Sequence, residues 1–460
     1  MAAADTRGIL SRQQHSDTKK RVGKLSLASS TTSKPCTTSP TLARLRRRSK
    51  VSTPQSGLSP ASDSAAAAVF RLPCLAFPAE EIFDEVYHAK AALSYLNDEM
   101  PVEWVHPPTS KIFIAVGVWL FGYQSWAWRL APAFAGIALA PVFFMLARRV
   151  LATERAAILA TVLLLADGVY LVQSRTAMTN IFAVLFQQAS ALFVVRSVLR
   201  ERLPVVEMLL SGVSLGLALS TRWTSLWALG FLGIVLLAVR GRRLLALREL
   251  ALTALAFAVL PIALYVLSYW VVPVLRPQSL DHLIQTQVAI WRYHATLKAQ
   301  HTYFSQWYTW PWLYRPTWYY YKQIGGAIYG IVALGNPGLW WASVGIILWA
   351  LLTGMREDDP RRLFAGAGFS CLYLPWGISP RTLNFSHYLF EALPYACLAL
   401  GMLLDREWEG RWALLARSYL AFVVLLFLFF LPILTALPIP MDLLFPGSGM
   451  RPWIWFSSWI

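Results

Sequence analysis

Charge is scarce in this chain. A soluble protein of ordinary composition carries about 25% charged residues; here 14% of 460 residues are charged and 57% are hydrophobic. Acidic residues are the scarcest, 24 Asp and Glu against 41 Lys and Arg, so the formal net charge is +17. The apolar bulk argues against a nucleic-acid partner, because the basic residues lie between long apolar runs instead of covering a polar face. Cysteine is also sparse. Cys36, Cys74, Cys371 and Cys397 have neither a CxxC nor metal-ligand spacing, so no metal ligand is assigned. Residues 1–64 lack aromatics and any apolar stretch long enough for a signal peptide. They are rich in Ser, Thr, Arg and Lys and are expected to be a disordered basic tail.

What the chain has in abundance is apolar length. About ten runs are long enough to be read as spans, at 126–147, 156–173, 177–195, 205–221, 225–239, 249–272, 329–353, 363–378, 387–404 and 413–436. The expected fold is an all-α polytopic membrane protein over 65–436, followed by an aromatic tail at 437–460. Two apolar stretches, Lys111–Tyr123 and Ala65–Pro78, are too short to cross; the first suits an interfacial or re-entrant helix. Arginine sets the orientation. Alternate loops carry Arg148, Arg149 and Arg155; Arg196, Arg200 and Arg202; Arg240, Arg242, Arg243 and Arg248; Arg356, Arg361 and Arg362; Arg406 and Arg411. By the positive-inside rule these face the cytoplasm, and segments 79–125 and 273–328 form a first and a long outer loop.

The outer side gathers the reactive side chains. Asp84 and Glu85 are adjacent, so on a helix they point apart; one suits a base and the other an orienting group. Shielded from water, such a carboxylate can accept a proton near neutrality. His106-Pro107-Pro108 with Lys111 is a rigid turn carrying a cation, suited to a phosphate. Arg129, Arg175 and Arg222 lie at span edges, where an unpaired cation is costly, and together they suit an anion site. Asp167 lies inside a span and is expected to pair with an arginine. Between Trp291 and Pro316 the chain is dense in Trp and Tyr around His294, His301 and Arg315. Aromatic rings with polar tips suit sugar stacking. Ser379-Pro380-Arg381 adds a further outer cation.

In order along the chain, these motifs resemble the protein O-mannosyltransferases. The matching runs are Phe83-Asp84-Glu85-Val86-Tyr87-His88-Ala89-Lys90, His106-Pro107-Pro108-Thr109-Ser110-Lys111, Trp128-Arg129 and Ser174-Arg175-Thr176-Ala177-Met178. Later ones are His294 with His301-Thr302-Tyr303-Phe304-Ser305, Trp310-Pro311, Arg315-Pro316, Ser379-Pro380-Arg381, Tyr388 and Leu393-Pro394-Tyr395. The resemblance covers about 70–404. It implies a GT-C membrane glycosyltransferase of bacterial type, in the inner membrane with an outward site. Such an enzyme moves a sugar, mannose above all, from a polyprenyl-phosphate carrier to protein Ser or Thr hydroxyls with inversion. Asp84 is then the candidate base, Glu85 its neighbour, and the cations hold the donor phosphate. No cofactor is certain; a divalent cation stays open, as does a dimer. Two departures stand out: Asn180 replaces the family's usual Asp, and Ala65–Pro78 replaces a full first span. Alternatives are transfer to a lipid or glycan acceptor, as in aminoarabinose transferases, a transporter, or an inactive remnant.

Overall fold

The computed structural model describes residues 60–445 and 451–460. Of the expected tail 1–64, residues 1–59 lie outside the described residues, and 60–64 begin a helix instead. In chain order the helices are α1 Pro60–Arg71, α2 Glu85–Leu96, α3 Thr109–Phe121, α4 Ser125–Val150, α5 Glu154–Leu165, α6 Gly168–Gln173, α7 Asn180–Val198, α8 Val205–Leu219 and α9 Ser225–Arg240. Then come α10 Leu247–Trp270, α11 Leu280–Thr296, α12 Pro337–Arg356, α13 Pro360–Tyr373, α14 Leu393–Glu407 and α15 Ala413–Thr435.

Among the described residues, α4, α7, α10, α12 and α15 are long and apolar enough to cross a bilayer. The other expected spans hold shorter helices. The sixteen residues of α9 reach only about 24 Å at 1.5 Å per residue, against a hydrocarbon core of about 30 Å. The expected span 156–173 is two helices, α5 and α6, broken at Asp167. The fold is thus helical and membrane-type, with length shared between long helices and shorter, interrupted ones. The short apolar stretch at Lys111–Tyr123 forms α3, thirteen residues long.

One expectation fails in kind. The apolar run assigned to a span at 329–353 begins as a strand. β1 Thr317–Ile324 and β2 Ala327–Ala333 form an antiparallel hairpin, joined by β3 Ile439–Pro440 on its far edge. Gly325 and Gly326 both have positive φ, 57° and 80°, which a two-residue hairpin turn requires. The strands are rich in Tyr, Ile and Val, which suit a pleated, half-buried surface. The helix starts only at Pro337, where a missing N–H costs nothing and Asn336 caps Gly338 N at 3.0 Å.

The arginine-rich loops gather at one end. Arg155 pairs with Asp405 at 2.6 Å, Arg240 donates to the Arg200 carbonyl at 2.7 Å, and Arg149 and Arg361 line one groove. Helix α1 packs along α4, α7 along α4 and α8, and α5 along α14. The opposite end carries α2, α3, α11 and the hairpin.

Candidate active site

Asp84 occupies the N-cap position of α2, where a carboxylate ordinarily accepts from the first turn. Here it makes no capping hydrogen bond. Its backbone is set by Phe83, which lies at φ 47°, a left-handed conformation that costs a non-glycine residue of order 1 kcal/mol or more. The Phe83 ring is held in place by Tyr319, stacked at 4.3 Å, and by the edges of Phe385, His301 and His387. The carboxylate is thereby turned into a cavity of about 560 Å³ that also receives His88, Glu103, His106, Asn180, Arg222, His301, Arg381, His387 and Tyr388.

Glu85 turns the other way. It is fully buried and does not line the cavity. Both its oxygens are occupied: Arg129 donates through Nε at 2.8 Å and Nη2 at 2.7 Å, and the Ile82 and Ala177 amides donate at 3.1 and 2.9 Å. Arg129 also donates to the carbonyls of Leu75, Pro78 and Glu80. Arg175 does likewise one stage earlier, gripping the carbonyls of Phe70, Arg71 and Pro73. Two arginines expected at the phosphate therefore lace segment 70–80 to the helix bundle. The short stretch Ala65–Pro78, which stands in place of a full first span, is fastened by them.

Arg222 and Arg381 are the cations in the cavity wall. Arg222 Nη1 donates to Thr179 Oγ1 at 3.1 Å and Asn180 Oδ1 at 3.0 Å, and its Nε lies 3.2 Å from Glu391. Glu391 in turn accepts from Thr224 and Gln187. Arg381 donates to His294 Nδ1 at 2.7 Å. His294 Nε2 must then carry the proton, which it donates to the Val105 carbonyl at 2.9 Å. That ring is neutral: burial and Arg381 push it down to about 4. Burial pushes the Asp84 carboxyl up to about 6; Arg381 and Arg222 oppose this and Glu103 adds to it.

Lys111 and His106, expected as phosphate ligands, are joined by a residue the sequence reading passed over. Glu103 pairs with the fully buried Lys111 ammonium and accepts from His106 Nδ1 at 2.7 Å and the His106 amide at 3.0 Å. It stands three residues before His106, and that spacing beside two candidate cations was the available signal. Arg315 lies apart, lining an adjoining cavity of about 510 Å³ with Tyr308 and Tyr314 that shares His301. Trp310 in the same aromatic segment is core, packed on Trp376 and Tyr388. Among the described residues Asp167 accepts a hydrogen bond from no arginine; it accepts from the Tyr170 and Asn336 amides and from Trp340 Nε1.

Compared with known proteins, residues 64–125 and 124–272 match the family model described as dolichyl-phosphate-mannose-protein mannosyltransferase. Residues 279–459 match the C-terminal four-span region of protein-O-mannosyltransferase. The chain belongs to the protein O-mannosyltransferase family. It is accordingly a multi-pass membrane glycosyltransferase. It is 27% identical, over 86% of its length and 91% of the relative's, to the polyprenol-phosphate-mannose–protein mannosyltransferase of Mycolicibacterium smegmatis. Its fold matches the Saccharomyces cerevisiae protein O-mannosyltransferase Pmt1–Pmt2 complex bound to the sugar donor, with TM-score 0.77 and 15% identity, covering 92% of this chain and 94% of that one. ArnT from Cupriavidus metallidurans bound to undecaprenyl phosphate shares the fold with TM-score 0.56 at 18% identity, over 81% and 70% of the two chains. These last two likenesses carry the fold alone.

Proposed function

We propose that this mannosyltransferase moves mannose from a polyprenyl-phosphate carrier to Ser or Thr hydroxyls of proteins, using Asp84 as the base. Its site would open on the outer face of a bacterial inner membrane. The observation that carries the reading is an uncapped carboxylate facing two arginines in one cavity. Asp84 removes the acceptor proton as the hydroxyl oxygen attacks the anomeric carbon. The bond from that carbon to the phosphate oxygen breaks, and the electron pair leaves on the carrier phosphate. Arg222 and Arg381 then meet the developing charge in a site with little water. Protein partners fix both guanidinium groups before the donor arrives, so little reorganisation is needed. The neutral histidines and Tyr388 are left to face the sugar. As its yeast fold relative is a complex of two mannosyltransferase chains, this chain would pair as well.

The test is sugar transfer from labelled polyprenyl-phosphate mannose to a Ser/Thr-rich peptide in membranes. Asp84→Asn is expected to lower transfer by about 10²-fold or more at unchanged expression. For the wild type, kcat/KM should fall as pH drops below about 6, because a protonated Asp84 cannot take the acceptor proton. An Asp84→Asn protein that transfers normally would remove the base assignment.

A further inference from the structure

Glu103 has no part in the steps above, yet it is the most heavily engaged charge in the cavity wall. It is 7% exposed. One oxygen takes the Nδ1 proton and the backbone amide of His106; the other meets the Lys111 ammonium and stands 3.9 Å from His88 Nδ1. Lys111 is fully buried and donates its remaining protons to the carbonyls of Glu103 and His106. No donor proton on that ammonium is left for a phosphate. Burial would raise the Glu103 carboxyl, but Lys111 and His106 hold it well below the usual carboxylate range, so it is an anion. The consequence for His106 is geometric. With Nδ1 donating to Glu103, the neutral ring carries its lone pair on Nε2. Nε2 has no protein partner among the described residues, and the side chain keeps 22% exposure on the cavity. A neutral imidazole nitrogen accepts from a hydroxyl and offers nothing to a phosphate.

We propose that Glu103 is a positioning residue for the transfer: it neutralises Lys111, fixes His106 to accept a hydroxyl of the donor sugar, and places one negative charge opposite Asp84. The proposal rests on the reading of Asp84 as base. Arg381, Arg222 and Glu103 line the cavity with Asp84, together with His88, His106, His301, His387 and Tyr388, and the Tyr319 hydroxyl interacts with it electrostatically. The arginines favour its ionised form and Glu103 disfavours it, so Glu103 keeps the base from being over-stabilised between two cations. Lys111 and His106 are thereby reassigned from the phosphate to the sugar side of the cavity, which leaves the phosphate to Arg222 and Arg381.

The experiment is the pH profile of kcat/KM for mannosyl transfer in membranes, with Asp84→Asn assayed alongside. Glu103→Gln alone strands a buried ammonium and risks misfolding. The double variant Glu103→Gln/Lys111→Met removes both charges together. In it the acid limb should move to lower pH by about half a unit or more, because Glu103, the carboxylate whose charge raises Asp84, is gone. Glu103→Asp, which keeps the charge, should leave the limb in place. His106→Phe should raise the donor KM by about tenfold, the loss of one hydrogen bond, without moving the limb. A double variant whose activity falls equally at every pH, with the limb fixed, would reduce Glu103 to a structural role. An unchanged donor KM in His106→Phe would overturn the sugar contact. Full activity in Asp84→Asn would sink the base reading itself, and that result is separate from either of the others.

Discussion

At the scale of single residues, neighbouring side chains of the same type do opposite things. Asp84 and Glu85 are adjacent carboxylates, and one is left uncapped in a cavity while the other is saturated by four donors. Among the outer arginines, Arg222 and Arg381 face the cavity, and Arg129 and Arg175 bind backbone carbonyls. Removing Arg129 leaves the Glu85 charge and three carbonyls buried without their donor. Breaking one partner of such a buried pair costs on the order of 3–5 kcal/mol. Arg129→Ala should therefore lower the thermal midpoint in detergent sharply, and transfer should fall because less folded protein is present. An Arg129→Ala protein of normal stability with a raised donor KM would return Arg129 to the phosphate. In the sequence these arginines stand at the ends of apolar runs, where an unpaired cation is costly. Which of them faced a ligand depended on where the 70–80 backbone ran, and no residue pattern states that.

Among the elements, the break at Asp167 and the hairpin carry the departures from an even row of spans. Asp167 caps α6 and accepts from Asn336 and Trp340. Asn336 donates to the carbonyls of Ala166 and Val423 and caps α12 through Gly338. One buried amide thus joins the α5–α6 break, the start of α12 and the side of α15. A Cβ on Gly168 would fall 2.2 Å from the Leu334 carbonyl, so the break and the end of β2 touch without room for a side chain. Asn336→Ala would take the side-chain donor from two buried carbonyls and the cap from a helix N-terminus, at a cost of about 3 kcal/mol. Circular dichroism melts in detergent should show it as an early loss of helix; an unchanged melt would mean that lipid or water replaces these bonds. The Gly325-Gly326 turn between Tyr-rich and Ile-rich runs was a readable hairpin signal. The span expected at 329–353 followed the apolar run that continues past Ala333 into α12.

Over the whole molecule, two ends of the bundle have different chemistry. Arginine-rich loops meet at one end, and the acid, histidine and arginine cavity opens among the loops of the other. The aromatic C-terminal segment is part of that second end. Trp459 is 2% exposed; its Nε1 donates to the Leu313 carbonyl at 2.6 Å, and its own carbonyl accepts from Trp318 Nε1 at 2.5 Å. Trp455 packs on Phe430 and stacks with Trp459. Of the tail expected at 437–460, residues 451–460 therefore form a strap across the hairpin and α15, and 446–450 lie outside the described residues. Burying a large apolar side chain contributes about 1.5–3 kcal/mol, and the segment buries more than one. Deleting 451–460 should lower the thermal midpoint and increase protease cleavage within 300–325, with transfer falling in step. Cleavage unchanged after the deletion would show the strap to be dispensable.

The sequence by itself determined the membrane class, the positions of most of the apolar helices and, through ordered motifs, the family. Those properties follow from local composition and charge, which need no knowledge of what lies across the bundle. Only the tertiary structure decided that Asp84 faces the cavity and Glu85 does not, and that Lys111 is spent on Glu103. It also decided that Arg222 and Arg381, but not Arg129 and Arg175, line the cavity where an anion would sit. Each of those outcomes depends on a partner many residues away, because a buried charge settles on whichever complement the fold brings within reach.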